Sequence, residues 1–179
     1  MRFVATPVDG VYLVEAEPHS DERGTFSRIY CADEFRARGL ELPDRQLAVS
    51  QNNLAGTLRG LHYILAEQGE AKLVRCIRGR VFDVAVDVRR NSPTFGLHVA
   101  IELDAERLSA LYIPRGVAHG FLTLEPDSHI LYQFSQPYRA GLESGVRWDD
   151  PKINIRWPSE PSILSERDRT LPWLADVAR

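Results

Sequence analysis

The stretch Ala71–Asp87, "AKLVRCIRGRVFDVAVD", decides how the chain folds. Two β-rich runs, Lys72–Ile77 and Val81–Arg89, flank Arg78 and Gly79, and a two-residue turn there predicts a hairpin. Side chains alternate along a strand, so the hairpin places Ile77 opposite Arg80, Cys76 opposite Val81, Val74 opposite Asp83 and Lys72 opposite Ala85. One face then carries Lys72, Val74, Cys76, Val81, Asp83 and Ala85, with Lys72 and Asp83 as diagonal neighbours. The other carries Leu73, Ile77, Phe82, Val84 and Val86 and is too apolar to face water. Both faces need cover, which implies a rolled barrel with a second layer or a partner subunit outside it. A lysine and an aspartate inside a small barrel are costly unless they pair or meet a polar ligand. On the hairpin alone, an ion pair at one barrel end and a functional site account for them equally well.

The same pattern continues in both directions. Short runs rich in Val, Ile, Leu, Phe and Tyr, punctuated by Gly, Pro, Asn and Asp, predict further strands at Val11–Glu15, Gln46–Gln51, Leu58–Tyr63, Leu97–Leu103, Ser109–Ile113, Gly120–Leu124 and His129–Ser135. Helical signals are confined to Ala32–Arg38, closed by Gly39, and a segment after Ser165 in "LSERDRTLPWL". The reading is all-β, a barrel with a few short helices. With 179 residues and no repeat, low-complexity tract or linker, residues 1–179 read as a single domain.

A formal charge of −3 gives no nucleic-acid footprint and no membrane-surface signal, although net charge says little about one cleft. No apolar run approaches the roughly 18 residues that span a bilayer, and Pro and Asp interrupt the N-terminus before a leader-like core develops. Only Cys31 and Cys76 are present, and Cys76 alternates within a strand as a small hydrophobe does. The chain is expected to be cytoplasmic, in a reducing compartment.

Within "RGLHY", strict alternation points Arg59 and His62 to opposite faces, but Gly60 between them marks a place where a bulge can re-aim one side chain. A lone histidine in a strand is more often a hydrogen-bonded structural residue than a catalyst. In "YIPRGVAHGF", Tyr112–Phe121, the Pro-x-Gly-x-x-His spacing makes a tight turn and aims His119 along the next strand. That spacing resembles the second motif of the cupin superfamily of small jelly-roll barrels. A metal-binding cupin would add a second imidazole near His62, and here His19, His98, His119 and His129 are scattered, so a zinc or iron site is the weaker reading.

Further segments extend the likeness: "DERGTF" at Asp21–Phe26, "GTLRGLHY" at Gly56–Tyr63, "AKLVRCIRGRVFDVAVDVRRNSPTFG" at Ala71–Gly96, "ILYQFSQPY" at Ile130–Tyr138, and "GVRWDDP" with "IRWP". In this collinear order, from Val11 to Trp173, the chain resembles the dTDP-4-dehydrorhamnose 3,5-epimerase family of metal-free cupins. The resemblance implies a cupin-type jelly roll, no cofactor, a homodimer, and a nucleotide-sugar substrate.

It also implies roles, residue by residue. His62 matches the family's general base, Asp168 in "LSERD" the carboxylate that orients it, Tyr132 in "ILY" the proton donor on the other sugar face, and Lys72 the cation beside the keto oxygen. Arg23, Arg59, His119 and Glu143 match residues that contact the nucleotide-sugar, Gln46 and Arg167 fall at further binding positions, and Phe26 and Tyr138 match aromatics near the nucleoside. By pattern alone Tyr132 is a core tyrosine, Phe26 a packing residue, Arg23 a turn brace and Glu143 a solvated side chain. The chain departs from the family at Arg28, often glutamate; Ile64, often glutamine; Ala48, often asparagine; Gln133 and Arg167, often lysine. Several of these lie on the nucleotide side. The implied activity is inversion at C3 and C5 of a nucleotide-linked 4-keto-6-deoxyhexose. Alternatives are a monofunctional 3- or 5-epimerase, an epimerase of a CDP- or GDP-linked keto sugar, and a non-catalytic sugar-binding cupin.

Overall fold

Thirteen strands and three short helices make up the computed structural model, which describes residues 1–65 and 67–177. The strands are β1 Arg2–Ala5, β2 Tyr12–Glu15, β3 His19–Asp21, β4 Gly24–Phe26, β5 Gln46–Asn52, β6 Leu58–Ile64, β7 Lys72–Arg78, β8 Arg80–Asp87, β9 His98–Asp104, β10 Ala110–Ile113, β11 Val117–Thr123, β12 Ser128–Phe134 and β13 Glu143–Gly145. Helices α1 Ala32–Arg36, α2 Glu166–Arg169 and α3 Leu174–Val177 complete the order. A six-stranded sheet β1-β2-β10-β7-β12-β5 faces a five-stranded sheet β13-β6-β11-β8-β9, while β3 and β4 form a separate two-stranded ribbon. All nine strand runs legible in the sequence become strands; the additional ones, β1, β3, β4 and β13, have only three or four residues each, too few for alternation to show.

The hairpin expected at Arg78-Gly79 does not form. β7 lies between β10 and β12, whereas β8 lies between β11 and β9 in the other sheet. Gly79, at φ 71°, is the corner where the chain crosses between sheets, and a Cβ there would meet Ser128 Oγ at 2.5 Å. The registers Val74–Asp83 and Lys72–Ala85 are therefore absent, and Lys72 and Asp83 find other partners. Each run is apolar on both faces, which suits a central strand of either sheet, and Arg-Gly carries no signal that forces a two-residue turn.

The expected face nevertheless survives. Val74, Cys76, Val81 and Ala85 share one core cluster with Leu103, Leu111, Phe121 and Ile130 between the sheets. The second face is covered by the chain itself. Outside the six-stranded sheet, Phe35 of α1 packs with Val14, Leu73 and Tyr112; outside the five-stranded sheet, Val146, Ile153 and Leu174 pack with Leu61, Val84, Val86 and Ala118. Helix α1 ends as its sequence predicts, with Gly39 at φ 68° donating its N–H to Arg36 at 2.9 Å.

One close approach fixes the cavity wall. Strands β6 and β11 are antiparallel, with His119 opposite His62 and Phe121 opposite Arg59, so their register shifts by one residue between these pairs. The shift occurs at Gly60, where a Cβ would lie 2.6 Å from the Gly120 Cα and 2.8 Å from the His119 carbonyl. Gly60→Ala is accordingly expected to lose about 2–4 kcal/mol in chemical denaturation. Gly39→Ala, with nothing within 4 Å of the added carbon, should lose only about 1 kcal/mol from its left-handed backbone.

Candidate active site

The register shift at Gly60 undoes strict alternation, and Arg59 and His62 both line one cavity of about 580 Å³ between the sheets. His62 Nε2 lies 2.7 Å from Asp168 Oδ1. Asp168 arrives from 106 residues away on α2, whose start is fixed by Ser165, the hydroxyl oxygen of which accepts the Asp168 N–H at 3.1 Å. The second carboxylate oxygen accepts the Gly60 N–H at 3.2 Å. Burial pushes the Asp168 carboxyl up, but its bonds to His62, Gly60 and Ser165 outweigh that and hold it below the usual carboxylate range. An ionised carboxylate only accepts, so Nε2 carries the hydrogen, which in the neutral tautomer leaves the lone pair on Nδ1.

Tyr132 enters from β12 of the opposite sheet. Its ring stacks on Phe134 at 5.6 Å and meets His119 edge-on at 5.8 Å. Burial and the nearby Asp83 carboxylate push the phenol well above its usual range, with Arg59 opposing; the hydroxyl therefore stays protonated and able to donate. Lys72 opens β7 in the same sheet, with Nζ 3.7 Å from Glu70 Oε1 and 6.0 Å from the Phe134 ring centre. Burial lowers the Lys72 pKa, while Glu70 and Glu143 act to raise it.

A second histidine–carboxylate pair lies deeper. His119 Nε2 is 2.9 Å from Asp83 Oδ1, with both side chains buried. Arg59 is steered by the Asn52 side chain, whose Oδ1 accepts its Nε–H at 2.8 Å. At the mouth, Gln46 accepts the Tyr138 N–H at 2.7 Å and Arg167 donates to Glu143 at 2.7 Å.

The cavity thus gathers His62, Asp168, Tyr132, Lys72, Gln46, Arg59, His119, Tyr138, Glu143 and Arg167. Arg23 and Phe26 lie elsewhere, on the β3–β4 ribbon, where Arg23 pairs with Asp21 and Phe26 is 74% exposed. Sequence reasoning missed Glu70, Asn52, Asp83 as the partner of His119, and Ser165. Of these only Ser165 carried a local signal, the Ser-x-x-Asp of a helix start. Among the described residues no three His, Cys, Asp or Glu side chains converge to hold a metal ion.

Two antiparallel sheets enclosing a cavity with an imidazole–carboxylate couple on one wall and a tyrosine and a lysine on the other define a cupin-type jelly roll equipped for acid–base chemistry. The chain belongs to the dTDP-4-dehydrorhamnose 3,5-epimerase family, whose model matches residues 5–176. It is 41% identical over 178 residues to the dTDP-4-dehydrorhamnose 3,5-epimerase of Sinorhizobium fredii, covering 99% of this chain and 91% of that one. It is 38% identical over 174 residues to the dTDP-4-dehydro-6-deoxyglucose 3-epimerase of Streptomyces bikiniensis, covering 96% and 88%. The crystal structure of the Elizabethkingia anophelis dTDP-4-dehydrorhamnose 3,5-epimerase superposes with a TM-score of 0.93 at 38% identity, covering 98% and 97%.

The depressed Asp168 pKa makes the clamp a pH-dependent contribution to stability. It is fully present above the unfolded carboxylate value of about 4 and is lost as pH falls through the lower folded value. Asp168→Asn should therefore destabilise by about 1–3 kcal/mol at pH 7, and denaturant titrations should show the gap to wild type closing as pH is lowered past about 4.

Proposed function

We infer that the chain, as a single domain, inverts C3 and C5 of a dTDP-linked 4-keto-6-deoxyhexose, the reaction for which its family is named. The observation that carries this reading is that His62 and Tyr132 reach one cavity from opposite sheets. Inversion beside a ketone needs proton removal from one ring face and proton return to the other. The His62 imidazole takes the proton, and the C–H electron pair moves onto the keto oxygen to give an enolate. Asp168 stabilises the resulting imidazolium. Lys72 faces the growing negative charge on the oxygen, and comparable donors elsewhere contribute on the order of 10²–10³ in rate. The Tyr132 phenol returns a proton to the opposite face and recovers its own from solvent, to which the imidazolium gives up the proton it took.

In the same reading Arg59, His119, Gln46, Glu143 and Arg167 hold the nucleotide-sugar, and Tyr138, 63% exposed at the rim, stacks on the base. A homodimer belongs to the proposal too. β5 is an outer strand of its sheet with Leu47 and Val49 exposed, an apolar edge that a second copy would cover. The exposed ribbon with Arg23 and Phe26 would then reach the substrate from that copy. A cytoplasmic setting fits the free thiols of Cys31 and Cys76; no helix is long and apolar enough to cross a membrane among the described residues.

Incubation with dTDP-4-dehydro-6-deoxy-D-glucose in deuterium oxide should place label at both C3 and C5. Label at C3 alone would make the chain a 3-epimerase like its Streptomyces bikiniensis relative, and no label would reject the enzyme reading. His62→Ala and Tyr132→Phe should each lower kcat at least about 100-fold; Tyr132→Phe should leave the unfolding transition in place, while His62→Ala should also lose the clamp's contribution of about 1–3 kcal/mol. Sedimentation velocity should give a dimer for the wild type and a monomer for Leu47→Glu/Val49→Glu; a wild-type monomer would defeat the dimer proposal.

A further inference from the structure

Each carboxylate around the cavity has its own cationic or histidine partner: Asp168 bonds His62, Asp83 bonds His119, and Glu143 accepts from Arg167. Glu70, two residues before β7, remains, and its partner is Lys72 at 3.7 Å, with the two side chains 11% and 13% exposed. A lysine this enclosed sheds its proton unless a negative charge stands beside it, and a neutral amine could not stabilise an enolate. Glu143 also acts on Lys72, but its carboxylate is engaged by Arg167 at 2.7 Å. The other charged or titratable groups toward the cavity interior are His62, Asp168, His119, Tyr132 and Arg59, the first three committed to the pairs just described and Arg59 held by Asn52.

We propose that Glu70 is the positioning residue that keeps the Lys72 ammonium charged and directed into the cavity. The 3.7 Å contact supports this, because it lies beyond hydrogen-bond range and leaves the ammonium hydrogens for an oxygen of the substrate. The pair is weakly screened, because both side chains are nearly enclosed. Burial leaves the Glu70 pKa raised and the Lys72 pKa lowered, and within the pair each group opposes the other's loss of charge. The proposal rests on the reading of Lys72 as the cation beside the keto oxygen.

The composition allows a direct test, because Lys72 and Lys152 are the only lysines of the chain. Protein labelled with 13C at the lysine ε-carbon gives one signal for each, with the exposed Lys152 as an internal reference. In Glu70→Gln the Lys72 midpoint should fall by about one pH unit or more, while Lys152 stays in place and Glu70→Asp keeps Lys72 near the wild-type value. In the same variant, assayed one pH unit above its own Lys72 midpoint, kcat should fall about fivefold or more below wild type with KM little changed, and it should recover as pH is lowered. An unmoved Lys72 midpoint overturns the role of Glu70 and leaves the reading of Lys72 standing. A lowered midpoint with undiminished turnover removes Lys72 from the reaction, and the proposal with it.

Discussion

One carboxylate ties the C-terminal region to the barrel. Asp168 takes a bond from His62 at 2.7 Å and another from the Gly60 backbone at 3.2 Å, so helix α2 is fastened to β6 at the point where that strand's register shifts. Without that shift Arg59 and His62 would point to opposite faces; without the clamp the imidazole would rotate, and neither nitrogen would be assigned to accept a proton. Ser165 sets where α2 begins and so where Asp168 projects. The position of one nitrogen thus depends on a helix cap, a glycine and a chain separation of 106 residues.

The division of labour between the sheets follows from how the chain crosses at Gly79. Had β7 and β8 formed a hairpin, Lys72 and Asp83 would have shared a sheet and could have neutralised each other. The crossing puts them on opposite walls, where Asp83 bonds His119 and Lys72 is left to Glu70. The cavity therefore retains several separately held charges instead of one internal ion pair. A buried charge is tolerated when its own partner is close, and this cavity meets that condition while leaving donors free for a ligand.

The apolar surroundings are equally necessary. Phe134 stacks on Tyr132 and approaches Lys72, giving this side of the cavity an apolar ring beside both polar groups. Burial there raises the phenol pKa and lowers that of Lys72, so the same surroundings that keep Tyr132 protonated work against the Lys72 charge, which Glu70 and Glu143 support.

Alternation and turn residues in the sequence were sufficient for nine strands, for α1 with its Gly39 stop, and for two covered faces, because a period of two and a left-handed glycine are local properties. Pattern alone also raised Gly60 as a place where a side chain could be re-aimed, but the roles of His62, Tyr132 and Asp168 came from resemblance, since each reads locally as an ordinary strand or helix residue. Only the tertiary structure could decide that β7 and β8 enter different sheets, that Asp83 partners His119 and that Glu70 partners Lys72. Those outcomes depend on which distant strands bring their backbones into register, and the charged side chains then pair with whatever that register sets beside them.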